Sequence, residues 1–129
     1  MIKGYFGKRG ELFFKLDLLA ANGVIVTVDA LLDTGFIDWL TINTFDAESL
    51  GWSLLKRERR LANQGKTTFN IYTGVIIFDA EDFNIPVITS ENTNEIVMGL
   101  PWLENRWLFV DRKAGILKLG NDLDVVKVG

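Results

Sequence analysis

The sequence predicts an all-β domain, a closed or partly closed barrel with two short helices, and three observations carry that prediction. Apolar residues recur with period two along most of the chain, as half-buried strands require. Glycine and polar clusters break these runs at short intervals. No long helical pattern alternates with the strands, which argues against a parallel α/β sheet. With 129 residues, 48% of them apolar, the chain reads as one domain, residues 1–129, able to bury a core without disulfides or metals. That apolar share also points to apolar surface hidden in an oligomer.

The elements follow in order. In "ELFFKLDLL", Leu12, Phe14, Leu16 and Leu18 fall on one face and Glu11, Lys15 and Asp17 on the other. Asn22-Gly23 suits a hairpin turn with positive φ. In "VIVTVDALL" the residues Val24, Val26, Val28, Ala30 and Leu32 share a face, while the opposite face changes from Thr27 and Asp29 to Leu31, so burial should deepen toward its end. A short helix follows "DWLTI", with Asn43 as N-cap, Asp46 and Glu48 early and Gly51 just past its end. Residues 52–79 read as two long strands joined near "NQGK", with Gly65 at the tip. "NIPVITS" and "EIVM" are two further short strands, and Pro86 places the first at an edge. "GLPWLENR" opens a second short helix with Pro101 in its first turn. "WLFVD", a turn at "RKAG" and "ILKL" form the last hairpin. "ALLDTGF" and "EIVMGLP" echo each other faintly, each an apolar run broken by glycine.

Composition removes several kinds of chemistry. Histidine and cysteine are absent, so there is no Ser-His or Cys-His pair, no thiolate and no zinc site of the usual ligands. Carboxylates, hydroxyls, Lys and Tyr remain for acid–base work. The net charge of −3 disfavours a nucleic-acid partner, and the basic run "KRERR" at 56–60 reads as a solvated strand or loop. The first residues lack the apolar run of a signal peptide, and no segment approaches the about 18 uninterrupted apolar residues of a membrane span, so a cytoplasmic protein with no membrane partner is expected.

The stretch "ALLDTGFIDWLTI" at 30–42 interrupts an apolar run with Asp33-Thr34-Gly35. A carboxylate at the end of an apolar strand is costly to ionise unless it receives hydrogen bonds. Gly35 permits a sharp turn whose N–H groups point back at it, and Thr34 offers a hydroxyl that can bond across to another strand. Two readings stay open on these residues alone: a buried structural carboxylate satisfied by turn amides, or a catalytic one. Amide hydrolysis needs one carboxyl to activate water and another to protonate, and a second copy of the chain about a two-fold axis would supply the missing group. Two such aspartates would share a proton and titrate as a pair.

With these motifs the chain resembles the retropepsin-like aspartic peptidases, particularly their small single-domain bacterial members. "VDALLDTGF" is similar to the family's approach to its Asp-Thr/Ser-Gly, "FDAESLGW" to the following short helix, "LANQGKTTFNIY" to the flap hairpin, and "EIVMGLPWLENRWLFVDRKAGIL" to the apolar-apolar-Gly segment, helix and final hairpin. The resemblance implies a homodimeric endopeptidase acting on peptide or protein substrates with no cofactor and no metal. It implies Asp33 as the catalytic aspartate, Thr34 as the lock between the two active-site loops, and Gly35 as backbone presented to substrate. Asn63, Gln64 and Gly65 would fold over the bound peptide, and Gly99 would pack beneath the active-site loop. Phe36 stands where viral members carry a small residue, and its bulk would narrow the cleft; Asp38 is the other acidic group within reach of substrate. Leu100-Pro101 stands where the family often has arginine, and Arg106 comes later. A dimeric peptide-binding or assembly module with little or no activity is the alternative. The remaining aspartates, Asp29, Asp79, Asp82 and Asp111, read as surface or turn residues; Trp52, Trp102 and Trp107 read as core or interface aromatics, and Trp39 as a subsite wall.

Overall fold

Period-two patterning becomes eleven strands in the computed structural model, which describes residues 1–62 and 65–121. In order they are β1 (Ile2–Lys3), β2 (Tyr5–Phe6), β3 (Leu12–Leu19), β4 (Ile25–Leu32), β5 (Leu40–Asn43), helix α1 (Thr44–Ser49), β6 (Ser53–Ala62), β7 (Gly65–Phe78), β8 (Glu81–Ser90), β9 (Val97–Met98), a 3-10 turn (Leu100–Leu103), β10 (Arg106–Asp111) and β11 (Ile116–Asn121). The second expected helix is thus a single 3-10 turn, with Pro101 at its start as the sequence indicated.

An eight-stranded sheet runs β2-β3-β4-β9-β5-β8-β7-β6, and β3 also pairs with β7 through Asp17↔Ile77 and Leu18↔Ile76, so the sheet folds back on itself. The strands β1-β11-β10 form a separate three-stranded sheet. Phe14, Leu16 and Leu18 of β3 are buried as their alternation requires, against Leu40, Ile42, Ile76, Phe78, Val87, Met98 and Trp102. β4 deepens along its length. Val24, Ile25 and Val26 are 54%, 53% and 41% exposed, whereas Ala30 and Leu32 are buried at the end that leads to Asp33.

Local chemistry sets the turns and caps. Gly23 has φ 88° in the β3–β4 hairpin, where the Val24 N–H donates to Asn22 Oδ1 at 3.1 Å. Asn43 caps α1 by accepting from the Phe45 N–H at 2.8 Å, and its amide donates to the carbonyls of Glu91 and Thr93, so one side chain fixes the helix start and a loop together.

Two expectations change. β7 and β8 join through a two-residue turn in which Asp79 and Ala80 both have positive φ, 52° and 62°. The sequence carries no Asn-Gly or Gly signal for such a turn, and β8 runs from Glu81 to Ser90 where only the shorter strand "NIPVITS" is expected. Pro86 does not mark an edge strand, because β8 lies between β5 and β7. The pairing with β5 begins one residue later, at Val87, so the position lacking an N–H falls just outside that ladder. Among the described residues, no helix is long and apolar enough to cross a membrane.

Burial at the two ends of the β3–β4 hairpin gives a contrast that unfolding can measure. Phe14→Ala, at a fully buried site, should cost about 3–5 kcal/mol in urea denaturation, whereas Ile25→Ala, half exposed, should stay within about 1 kcal/mol. Equal costs would mean that the exposed end of β4 is covered in solution.

Candidate active site

The site is built where the two echoing segments meet. β4 and β9 run parallel with Leu31↔Val97 and Leu32↔Met98 in register, and the ladder continues past the strand end with the Asp33 N–H donating to the Met98 carbonyl at 3.0 Å. Asp33 therefore leaves the sheet at a fixed height and direction. Its carboxylate then turns out to solvent, and the Gly35 N–H donates to Oδ1 at 2.9 Å. A Cβ on Gly35 would sit 3.2 Å from that same oxygen, tight enough to push the carboxylate aside. The Phe36 N–H donates to the Asp33 carbonyl at 3.1 Å and closes the turn. Asp33, Thr34 and Gly35 are all exposed, so the reading as a buried structural carboxylate does not describe this chain.

Gly99 supports the loop from beneath. Its N–H donates to the Trp39 carbonyl at 3.1 Å, and the next N–H, of Leu100, donates to the Phe36 carbonyl at 2.8 Å. Any side chain at 99 would run into the backbone oxygens of Asp38 and Phe36 and the ring of Phe36, so glycine is there for close approach and not for unusual φ. Trp102, fully buried, donates from Nε1 to the Trp39 carbonyl at 2.7 Å and meets the Trp39 ring edge-on at 5.1 Å. Trp39 is thus half-buried and pinned through its backbone. Arg106 lies over Phe78, Phe83 and Trp102 at 5.4, 5.2 and 6.0 Å and donates from Nη1 to the Trp102 carbonyl at 3.3 Å. It braces the turn after Gly99 from the far side.

The remaining predicted residues are placed as follows. Phe36 is half-buried with its ring against Gly99, and Ile37 is 74% exposed beside Leu100, Pro101, Leu103 and Glu104. Asp38 is half-buried and takes a two-pronged ion pair from Arg60 of β6, with Nη1 to Oδ2 at 2.6 Å and Nη2 to Oδ1 at 3.4 Å. Gly65, with φ 98°, opens β7 opposite Ala62. Asn63 and Gln64 lie outside the described residues.

Arg60 is the residue that sequence reasoning passed over as part of a solvated basic run. Period-two spacing in that run was the available signal, since it puts Lys56, Glu58 and Arg60 on one face. The Arg60 guanidinium is held above its ordinary pKa by its hydrogen bond to Asp38, and Arg60 in turn holds the Glu58 carboxyl below the usual carboxylate range. Among the described residues, no group of three or more carboxylates is placed to hold a metal ion.

No family model and no curated protein sequence matches the chain. Among solved structures it is similar to a retropepsin-like aspartic protease from Rickettsia conorii, with TM-score 0.62 and 18% identity over 93% of this chain and 89% of that one. The fold is therefore retropepsin-like.

Because the atoms facing Gly99 are backbone oxygens that cannot rotate away, Gly99→Ala should destabilise the domain by about 2 kcal/mol or more. Thermal unfolding of the variant checks this, and an unchanged midpoint would mean that the loop does not depend on the close packing seen here.

Proposed function

We propose that two copies of this chain form a homodimeric aspartic endopeptidase, each contributing Asp33 to one site. The observation that carries the reading is the Asp33-Thr34-Gly35 loop itself: a rigidly placed carboxylate at a strand end, exposed on the single chain, with one internal donor from Gly35. The exposed Ile37 and Leu100 beside it supply apolar surface for a second copy to cover. In that dimer the Thr34 hydroxyls would lock the paired loops, and the sheet that folds back through β3 and β7 would be a closed barrel in each half.

The chemistry follows from two carboxyls in contact. Like charges at short range cannot both ionise readily, so the pair holds one proton. The ionised partner takes a proton from water as its oxygen adds to the scissile carbonyl carbon, while the protonated partner donates to the carbonyl oxygen. Collapse of the tetrahedral adduct breaks the C–N bond as a proton passes to the nitrogen. Each step uses only carboxyls and water, with no cofactor. The β6–β7 hairpin would act as the flap, with Gly65 and its neighbours Asn63 and Gln64 over the peptide, excluding water and offering main-chain hydrogen bonds. Phe36 and Asp38 would line the cleft. A soluble cytoplasmic setting accords with a chain free of cysteine.

Peptide-library cleavage read by mass spectrometry, with sedimentation for the assembly, tests this. Asp33→Asn should lower cleavage at least about a hundredfold while the dimer persists. A monomer at high concentration, or the same cleavage products from both proteins, overturns the proposal. A wild-type dimer that binds peptides without cutting them identifies the binding module instead.

A further inference from the structure

We propose that Arg60 is a positioning residue of the cleft: its ion pair with Asp38 ties the β6–β7 ribbon to the loop that carries Asp33 and sets how firmly that ribbon is held over the site. The consequence for a peptide substrate rests on the peptidase reading above; the tie itself does not.

The far half of the ribbon has little else to hold it. Among the described residues, β6 is the last strand of its sheet and pairs only with β7. β7 meets β8 only from Asn70 onward and β3 only near Ile76 and Ile77, so, among the described residues, 65–69 have β6 as their single neighbouring strand. Two-stranded ribbons are marginal by themselves. Among the described side chains of β6, only Glu58 and Arg60 are partly covered; the others are exposed. Arg60 reaches out of the ribbon to Asp38, 22 residues away.

The pair is built to hold position. The guanidinium presents two nitrogens to two carboxylate oxygens, the arrangement that fixes direction as well as distance. Glu58 lies on the other side, with Oε1 3.3 Å from Nε and Oε2 3.5 Å from Nη2, so Arg60 is oriented between two carboxylates. Lys56, 3.5 Å from Glu58, completes the charged row. The other end is rigid, since the backbone of Asp38 rests against Gly99. Both charged side chains keep about a third of their surface in water, 31% and 27%, so the tie can be broken and remade.

Hydrogen exchange measured by mass spectrometry reads the tie whether or not the protein cleaves anything. Arg60→Gln should raise exchange in residues 57–61 and 65–69 about fivefold, while β3 and β4 exchange as before. The swap Asp38→Arg with Arg60→Asp should bring the ribbon back toward wild-type protection, which Arg60→Asp alone should not do. If the wild type cleaves peptides, Arg60→Gln should raise KM several-fold and change kcat less, and the swap should reverse that shift. Ribbon exchange unchanged in Arg60→Gln, or a swap no better protected than the single reversal, overturns the tie even where cleavage is normal. A wild type without cleavage but with the expected exchange pattern removes the peptidase reading and leaves the tie standing.

Discussion

The structure depends on the approach of one backbone to another at Gly99. Residues 96–100 pass so close beneath residues 31–39 that four main-chain hydrogen bonds join them, from the N–H groups of Leu31, Asp33, Gly99 and Leu100. Hydrogen bonds of that density on both sides of a loop leave it few alternative conformations. A carboxylate on such a loop is held by the covalent chain, and apart from the Gly35 N–H bond to Oδ1 it faces solvent.

That arrangement answers the cost of placing an aspartate at the end of an apolar strand. Leu32 is buried and Asp33 is exposed, so one residue carries the chain from core to solvent. The carboxylate avoids the desolvation penalty that a fully buried site would impose. In a dimer the same group would lose water and gain a like-charged neighbour, the two conditions under which a shared proton becomes favourable.

Arg106 and Arg60 act on this loop in different ways. Arg106 spreads its guanidinium over an aromatic cage and donates to the Trp102 carbonyl, which stiffens the support below the loop. Arg60 engages a carboxylate from above and so couples the loop to a ribbon. Beside Leu100 and Pro101 the support comes from Arg106 and from the Trp102–Trp39 contact. One element is thus packed from below and tethered from above, by a cation in each case.

Much of this was legible in the residues. Alternation gave β3, β4 and the last hairpin, Asn43 announced the helix start, Gly23 and Gly115 the turns, and Asp33-Thr34-Gly35 the candidate site, because each of these is a local preference of backbone or side chain. The Asp79-Ala80 turn was hidden, since Ala80 disfavours positive φ and Asp79 only tolerates it, so the strands on either side impose it. The meeting of the two faintly similar segments, the exposure of Asp33 and the pairing of Arg60 with Asp38 were decided by the tertiary structure alone. Each joins residues far apart in the chain, and a preference within one segment carries no information about the distance to another.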